Sequence, residues 1–133
     1  MKKIDVYEID SHGQMDKDMD RLVRKKRFLS LPAQIKDLAE SLQNGDFQGE
    51  FLARYYEPVE CEVYKLRLPN PDANVGKVGG YRLIYVVATE NRIVILLTIY
   101  YKKEQESISD TYIKGLIAGY FLDSAPYDED ESE

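Results

Sequence analysis

Basic side chains outnumber acidic ones between residues 61 and 103 of this sequence. That segment has seven Lys and Arg residues against three Asp and Glu residues, although the chain of 133 residues has a formal net charge of −6. Positive groups gathered at one place can hold an RNA backbone and stabilise a phosphorane-like transition state. The candidates are Lys65, Arg67, Lys77, Arg82, Lys102 and Lys103, together with several tyrosines. The segment therefore predicts a site for RNA binding and phosphoryl transfer.

The same cations have a structural alternative. Lys and Arg at the edge of a sheet often serve to solvate that edge and to prevent aggregation. Arg82 differs because it interrupts the apolar run Tyr81–Tyr85, where a charged side chain needs a partner or a ligand. Arg82 is therefore the strongest single candidate.

Other chemistries have little support. One histidine, His12, and one cysteine, Cys61, provide no His/Cys metal cluster, no disulfide and no His-based triad. Residues 76–79 have the GxxG spacing of a KH domain, but they lie between predicted strands instead of helices. We interpret loop 74–80 as a flexible, cationic lip whose glycines let a backbone approach closely. No metal and no cofactor are predicted.

The elements that must position the cations are strands. Val, Ile, Leu and Tyr dominate residues 81–87 and 93–101, which predicts two strands. The short polar connection at 89–92 predicts that they form an antiparallel hairpin. Residues 60–68 alternate as a further strand that ends at Pro69.

Strand polarity predicts that the cations converge. The start of one antiparallel strand lies beside the end of the next, so Arg82 is expected near Lys102 or Lys103. Lys65 and Arg67 lie near the end of their own strand. They are expected at the same edge of the sheet.

The remaining segments are predicted to form helices and a short strand that support this sheet. A helix from Met15 and a second helix between Pro32 and Asn44 predict a helical hairpin packed on the sheet. The other predicted segments are a short first strand at 3–10, a helical turn or irregular segment at 46–58, and a last helix at 107–122 capped by Ser107 or Ser109. The basic cluster at 24–27 either complements the helix dipole or contacts phosphates.

Length and charge predict one domain over residues 1–123 and a solvated acidic tail over 124–133. Residues 104–133 have nine acidic side chains and one basic side chain. Such a tail aids solubility or screens the basic face. The lone cysteine, the lack of a signal peptide and the lack of a long apolar run predict a cytoplasmic protein with no membrane partner.

The central motifs resemble those of the RelE/ParE toxin superfamily, and most closely its HigB-like branch. They are Lys65-Leu66-Arg67, a Gly/Lys loop, Gly79-Gly80-Tyr81-Arg82-Leu83-Ile84-Tyr85, and Leu96-Leu97-Thr98-Ile99-Tyr100 with Lys102. About 40 residues take part in this resemblance. It implies an α+β fold with an antiparallel sheet, an N-terminal helical hairpin and a C-terminal helix.

The resemblance also implies a function. Such a chain is the toxin of a type II toxin-antitoxin system, a metal-independent endoribonuclease (mRNA interferase) that cuts mRNA in the ribosomal A site and inhibits translation. Its partners are the ribosome, mRNA and a cognate antitoxin, which we expect to be a helix-turn-helix protein. The neighbouring reading frame is where that antitoxin is expected.

Roles for individual residues follow from the same resemblance. Lys65 is the general base or a phosphate contact, Arg82 stabilises transition-state charge, and Lys102 or Lys103 contacts the leaving group or a phosphate. Tyr112 or Tyr101 stacks on a base or orients the nucleophile. The implied catalytic set is Lys65, Arg82, Lys102 and Tyr112, and the implied RNA-binding set is Arg67, Lys77, Lys103 and Tyr101.

Two features depart from the family pattern. Its toxins are usually basic, whereas this chain has a pI near 4.9, and its loop at 69–80 is long. ParE-like relatives act on gyrase instead of mRNA. A non-catalytic or gyrase-directed binding module on the same fold is therefore the alternative.

Overall fold

A computed structural model describes residues 6–123 of the chain. These residues form one mixed sheet of five strands, in the order β1-β5-β4-β3-β2, with helices on both faces. The elements in chain order are β1 (Glu8–Ser11), α1 (Gly13–Asp20), a π-helical segment (Arg21–Lys25), α2 (Leu31–Gln43), β2 (Glu50–Tyr55), β3 (Cys61–Leu68), a 3₁₀ turn (Pro71–Ala73), β4 (Tyr81–Ala88), β5 (Ile93–Tyr101) and α3 (Asp110–Asp123). The predicted α+β class is confirmed, and the acidic tail at 124–133 lies outside the described residues.

The predicted hairpin forms the centre of the sheet. β4 is buried along its whole length, and β5 along all but its first residue. β4 pairs antiparallel with β5 on one side and with β3 on the other. Because both faces of these strands are covered, β-branched and aromatic residues run through them with few interruptions.

The sheet is not wholly antiparallel, which corrects the prediction. β1 runs parallel to β5, with Glu8 opposite Ile93 and Ser11 opposite Leu96. Strands β2 to β5 follow one another through local connections, which favour antiparallel pairing. No such turn joins β1 to β5, since α1, α2 and three strands lie between them in the chain.

β2 replaces the helical turn or irregular segment predicted at 46–58. It is an edge strand in which no residue is fully buried. A bulge between Phe51 and Ala53 interrupts its pairing with β3. The bulge breaks the two-residue alternation that identifies a strand from sequence.

The predicted helical pair packs on one face of the sheet. α1 and α2 contribute Met15, Leu31, Leu38 and Leu42 to a core with residues of β4 and β5. Pro32 lies in the first turn of α2, where its missing N–H is tolerated. Gly45 follows with φ +88, a left-handed conformation that ends the helix.

α3 covers only part of the opposite face. Its Ile113 and Ile117 pack against Val63, Ile84 and Val86 in a second core. Ser109 caps the helix, since its Oγ accepts a hydrogen bond from the Tyr112 N–H at 3.0 Å, as predicted. The end of this face nearest the 69–80 loop is polar instead of apolar, and the candidate site lies there.

Candidate nucleic-acid interface

Three side chains form a row across the polar end of the α3 face. Arg67 of β3 lies opposite Arg82 of β4, which lies opposite Tyr100 of β5. Directly opposed residues project from the same face of a sheet. The next row toward α3 contains Lys65 and Thr98, on either side of Ile84. The structure therefore brings Lys65, Arg67 and Arg82 together.

Arg82 is bound to its own loop. The side chain is 4% exposed; its Nη1 donates to the carbonyls of Lys77 at 2.9 Å and Tyr81 at 3.1 Å, and its Nη2 donates to that of Val78 at 2.8 Å. Burial, followed by the neighbouring charge of Arg67, lowers the pKa of the guanidinium. These bonds supply the partner that the sequence required, and they use only part of the guanidinium donor set.

The loop that Arg82 holds is also attached at its base. Asn70 and Val75 bridge its base. Asp72 accepts hydrogen bonds from the N–H and the hydroxyl of Ser30, at 2.8 and 3.0 Å. The loop is thus attached both to the sheet and to the start of α2.

Lys65, Arg67 and Lys77 share a groove of about 350 Å³ with Gly49 and Glu50. The backbone of Gly49 approaches β3 closely, because a Cβ there would lie 2.6 Å from the Lys65 carbonyl oxygen. Three of the predicted cations therefore face one channel. The three cations attract a chain of phosphates.

Lys102 and Lys103 follow β5 beside the loop. The Lys102 N–H donates to the Gly80 carbonyl at 2.9 Å, and its Nζ lies 3.7 Å from Glu106. Lys103 is exposed, and its Cε lies 3.9 Å from where a Cβ on Gly79 would be. Both lysines border the lip, as strand polarity predicts.

Tyr101 is not at this site, which corrects the prediction for it. It is 7% exposed and packs in the α1/α2 core, 5.2 Å from Phe28 and 5.8 Å from Tyr81 between ring centroids. Residues alternate between faces along a strand. The tyrosine on the site face is its neighbour Tyr100.

Tyr100 is the site residue that the sequence prediction missed. It is 5% exposed, and burial raises the pKa of its phenol, with Arg82 opposing the shift and Glu106 adding to it. The bulge in β5 explains the miss. A hairpin register without a bulge would place Ile99 opposite Arg82, whereas the register shift between Ile84 and Tyr85 places Tyr100 there.

Tyr112 lies in the first turn of α3 and is 41% exposed. Burial, and after it the nearby Asp18, raises the pKa of its phenol. It borders the same hollow as Tyr100. Tyr112 therefore lies beside the row of Arg67, Arg82 and Tyr100.

His12 and Cys61 have structural roles. His12 Nδ1 accepts a hydrogen bond from the Gln14 N–H at 2.8 Å and so caps α1. Cys61 is buried, which raises the pKa of its thiol to about 11. Among residues 6–123, no three His, Cys, Asp or Glu side chains are grouped so as to hold a metal ion.

The basic cluster at 24–27 lies at the end of the π-helical segment. Arg24 pairs with Asp20 at 3.3 Å, and Lys26 pairs with Glu104 at 2.7 Å. Glu104 also accepts from Arg21 at 2.9 Å. Part of the cluster therefore connects the helices to the segment after β5.

Comparison of the chain with protein-family models and with curated proteins gives no match. Within the part of the chain that the structure describes, no helix combines the length and the apolar character needed to cross a bilayer.

Proposed function

We propose that this chain is a RelE/ParE-like toxin of the HigB-like branch, a ribosome-dependent endoribonuclease that cuts mRNA without a metal. The observation that supports the proposal is the row of Arg67, Arg82 and Tyr100 beside Lys65, at the polar end of the sheet face beyond α3. It concentrates positive charge at one end of a chain that is acidic overall. Phosphate binding requires such local charge, whatever the net charge of the molecule.

The reaction needs no cofactor. The 2′-hydroxyl of one nucleotide gives up its proton to a general base, for which Lys65 is the candidate, and its oxygen attacks the adjacent phosphorus. The bond from phosphorus to the 5′-oxygen breaks, and that oxygen takes up a proton. The products are a 2′,3′-cyclic phosphate and a 5′-hydroxyl. Catalysis then consists of aligning the two oxygens and stabilising charge on the phosphorane.

The residues divide this work by position. Lys65 and Arg67 hold the scissile phosphate from β3, and Lys77 holds the neighbouring backbone from the lip. Arg82 stabilises transition-state charge with the donors that its loop does not use. Lys102 contacts the leaving group, Lys103 contacts a neighbouring phosphate, and Tyr112 stacks on a base.

The proposal includes a cytoplasmic location and a partner. An exposed cationic surface that binds RNA is expected to be masked in the cell by an antitoxin with acidic or apolar elements. A helix-turn-helix protein encoded beside this chain is the proposed partner.

One observation favours a second candidate. Arg82 donates to the loop carbonyls of Lys77 and Val78 and to the carbonyl of Tyr81, so the buried arginine is accounted for without any reaction. A binding module on the same fold, non-catalytic or directed at gyrase as in ParE-like relatives, uses the basic groove for contact alone.

Mapping of cellular mRNA 5′ ends after brief expression separates the two candidates. The nuclease produces new ends inside translated codons, and the binding module produces none. Lys65→Ala/Arg67→Ala should reduce cutting at least about 100-fold, because each side chain contacts the phosphate whose charge develops.

Lys17→Ala/Lys36→Ala is the matched control. It removes the same number of positive charges from exposed positions on α1 and α2, and cutting should continue unchanged. Equal cutting by the Lys65/Arg67 variant would show that the site lies elsewhere.

A further inference from the structure

A polar hollow adjoins the proposed site on the side of α1. Its volume is about 390 Å³, within the range of pockets that enclose small ligands. We call it the Tyr100 hollow; its lining includes Gln14, Asp18, Arg21, Tyr100, Gln105 and Tyr112. Since Tyr100 also belongs to the row with Arg67 and Arg82, the hollow lies next to that row.

Tyr100 lines this hollow and has an unused hydrogen-bonding group. The residue is 95% buried, at 5% exposure. Within residues 6–123 its hydroxyl has no hydrogen-bond partner, and the oxygen remains accessible to solvent. A buried tyrosine usually finds a partner for its hydroxyl. A ligand in the hollow can supply one.

Asp18 supplies an acceptor next to it. Its Oδ2 accepts hydrogen bonds from the Thr98 hydroxyl and from the Ile99 N–H at 3.1 Å. Its Oδ1 accepts one bond, from Gln14 Nε2 at 2.9 Å. A carboxylate oxygen can accept two bonds, so Oδ1 can accept one more from a ligand.

Tyr112 supplies a surface for stacking. It lies at the mouth of the hollow with 41% of its surface exposed. Unpaired bases of RNA are bound by stacking on aromatic rings and by hydrogen bonds to their edges. The hollow thus combines a donor, an acceptor and an aromatic ring.

We propose that the Tyr100 hollow binds the base next to the scissile phosphate and prefers guanine. This inference rests on the proposed nuclease function, whose site it extends. Guanine offers its N1–H or its amino group as the one further donor to Asp18 Oδ1, and its O6 accepts from the Tyr100 hydroxyl or from Arg21. Adenine presents an unprotonated N1 at the corresponding position, which repels a carboxylate.

Amide NMR of the full chain, titrated with guanosine 5′-monophosphate and with adenosine 5′-monophosphate, tests this subsite without any cleavage. Shifts are expected at residues 14–21, 98–100 and 105–112, with the guanine nucleotide bound about tenfold more tightly. Tyr112→Ala should weaken guanine nucleotide binding about tenfold, because it removes the stacking surface.

Tyr56→Ala is the control, since Tyr56 is 65% exposed between β2 and β3 and does not line the hollow. This variant should bind the guanine nucleotide as tightly as the unmodified chain does. Equal affinity for the two nucleotides, shifts that map elsewhere, or binding unaffected by Tyr112→Ala would overturn the subsite.

The two proposals fail separately. If the chain binds the guanine nucleotide in the hollow but leaves mRNA intact, the nuclease proposal is contradicted and the base-site proposal stands. If the chain cuts mRNA but shows no guanine preference in the hollow, only the base-site proposal is overturned.

Discussion

Arg82 connects the proposed chemistry to the local fold. The same guanidinium that faces Arg67 and Tyr100 also holds the carbonyls of Lys77 and Val78. Loss of activity in an Arg82 variant would therefore mix two causes, a missing charge and a displaced lip. Lys65 and Arg67 give a cleaner test of the site.

Replacing Arg82 should release the lip. Arg82→Lys cannot reproduce three planar donors. Arg82→Ala leaves the Val78 carbonyl without its side-chain donor and the Lys77 carbonyl with only the Gly80 N–H, at 3.4 Å. Each substitution should lower the free energy of unfolding by about 1–3 kcal/mol, measured by denaturant titration. Hydrogen exchange should accelerate at residues 77–80.

Arg24→Ala is the control, because Arg24 is an exposed residue paired only with Asp20 in the described part of the chain. Its free energy of unfolding and its hydrogen exchange should change little. Unchanged stability and exchange in the Arg82 variants would contradict the anchoring role.

The two neighbouring tyrosines show which part of the site could be predicted. The strand and its phenols were readable from composition, and so was the convergence of Lys65, Arg67 and Arg82. The assignment to Tyr101 came from the family resemblance, and the structure places Tyr100 beside Arg82 instead. A regular hairpin register would not have chosen Tyr100, because the bulge in β5 shifts the pairing by one residue before it reaches Arg82.

Among the elements, the β4–β5 hairpin was predictable because continuous β-branched runs and a short polar turn specify it locally. β2 was not, since a bulge and partial exposure remove its alternation. The contact of Asp18 with Thr98 and Ile99, 80 and 81 residues apart, also has no local signal. Through this contact Asp18 accepts a hydrogen bond from the Ile99 N–H, which lies beside the bulge in β5. The contact depends on how α1 packs against the sheet.

Gly80 is the residue on which the lip turns into β4. A Cβ there would overlap the Leu68 carbonyl oxygen and lie 2.9 Å from that of Gly76. Gly80→Ala should therefore separate β3 from the lip and lower the free energy of unfolding by about 1–3 kcal/mol, as measured by denaturant unfolding.

Gly76→Ala is a matched control in the same loop. No atom lies within 4 Å of its Cβ position and its φ is not positive, so the protein should be unchanged or slightly more stable. Equal effects at the two glycines would contradict the close approach at Gly80.

For the whole molecule, uneven charge matters more than net charge. Residues 61–103 have four more basic than acidic side chains, whereas residues 104–133 have eight more acidic than basic ones. The sheet collects the basic segment into a groove and a row on one face. An acidic chain can in this way present a cationic surface to RNA.

The most direct test of the central claim is the chemistry of mRNA fragments made by the purified chain in a reconstituted translation reaction. We predict cuts within codons that leave a 2′,3′-cyclic phosphate upstream and a 5′-hydroxyl downstream, at least about 100-fold slower with Lys65→Ala/Arg67→Ala. Intact mRNA on translating ribosomes, or equal cutting by that variant, would contradict the account.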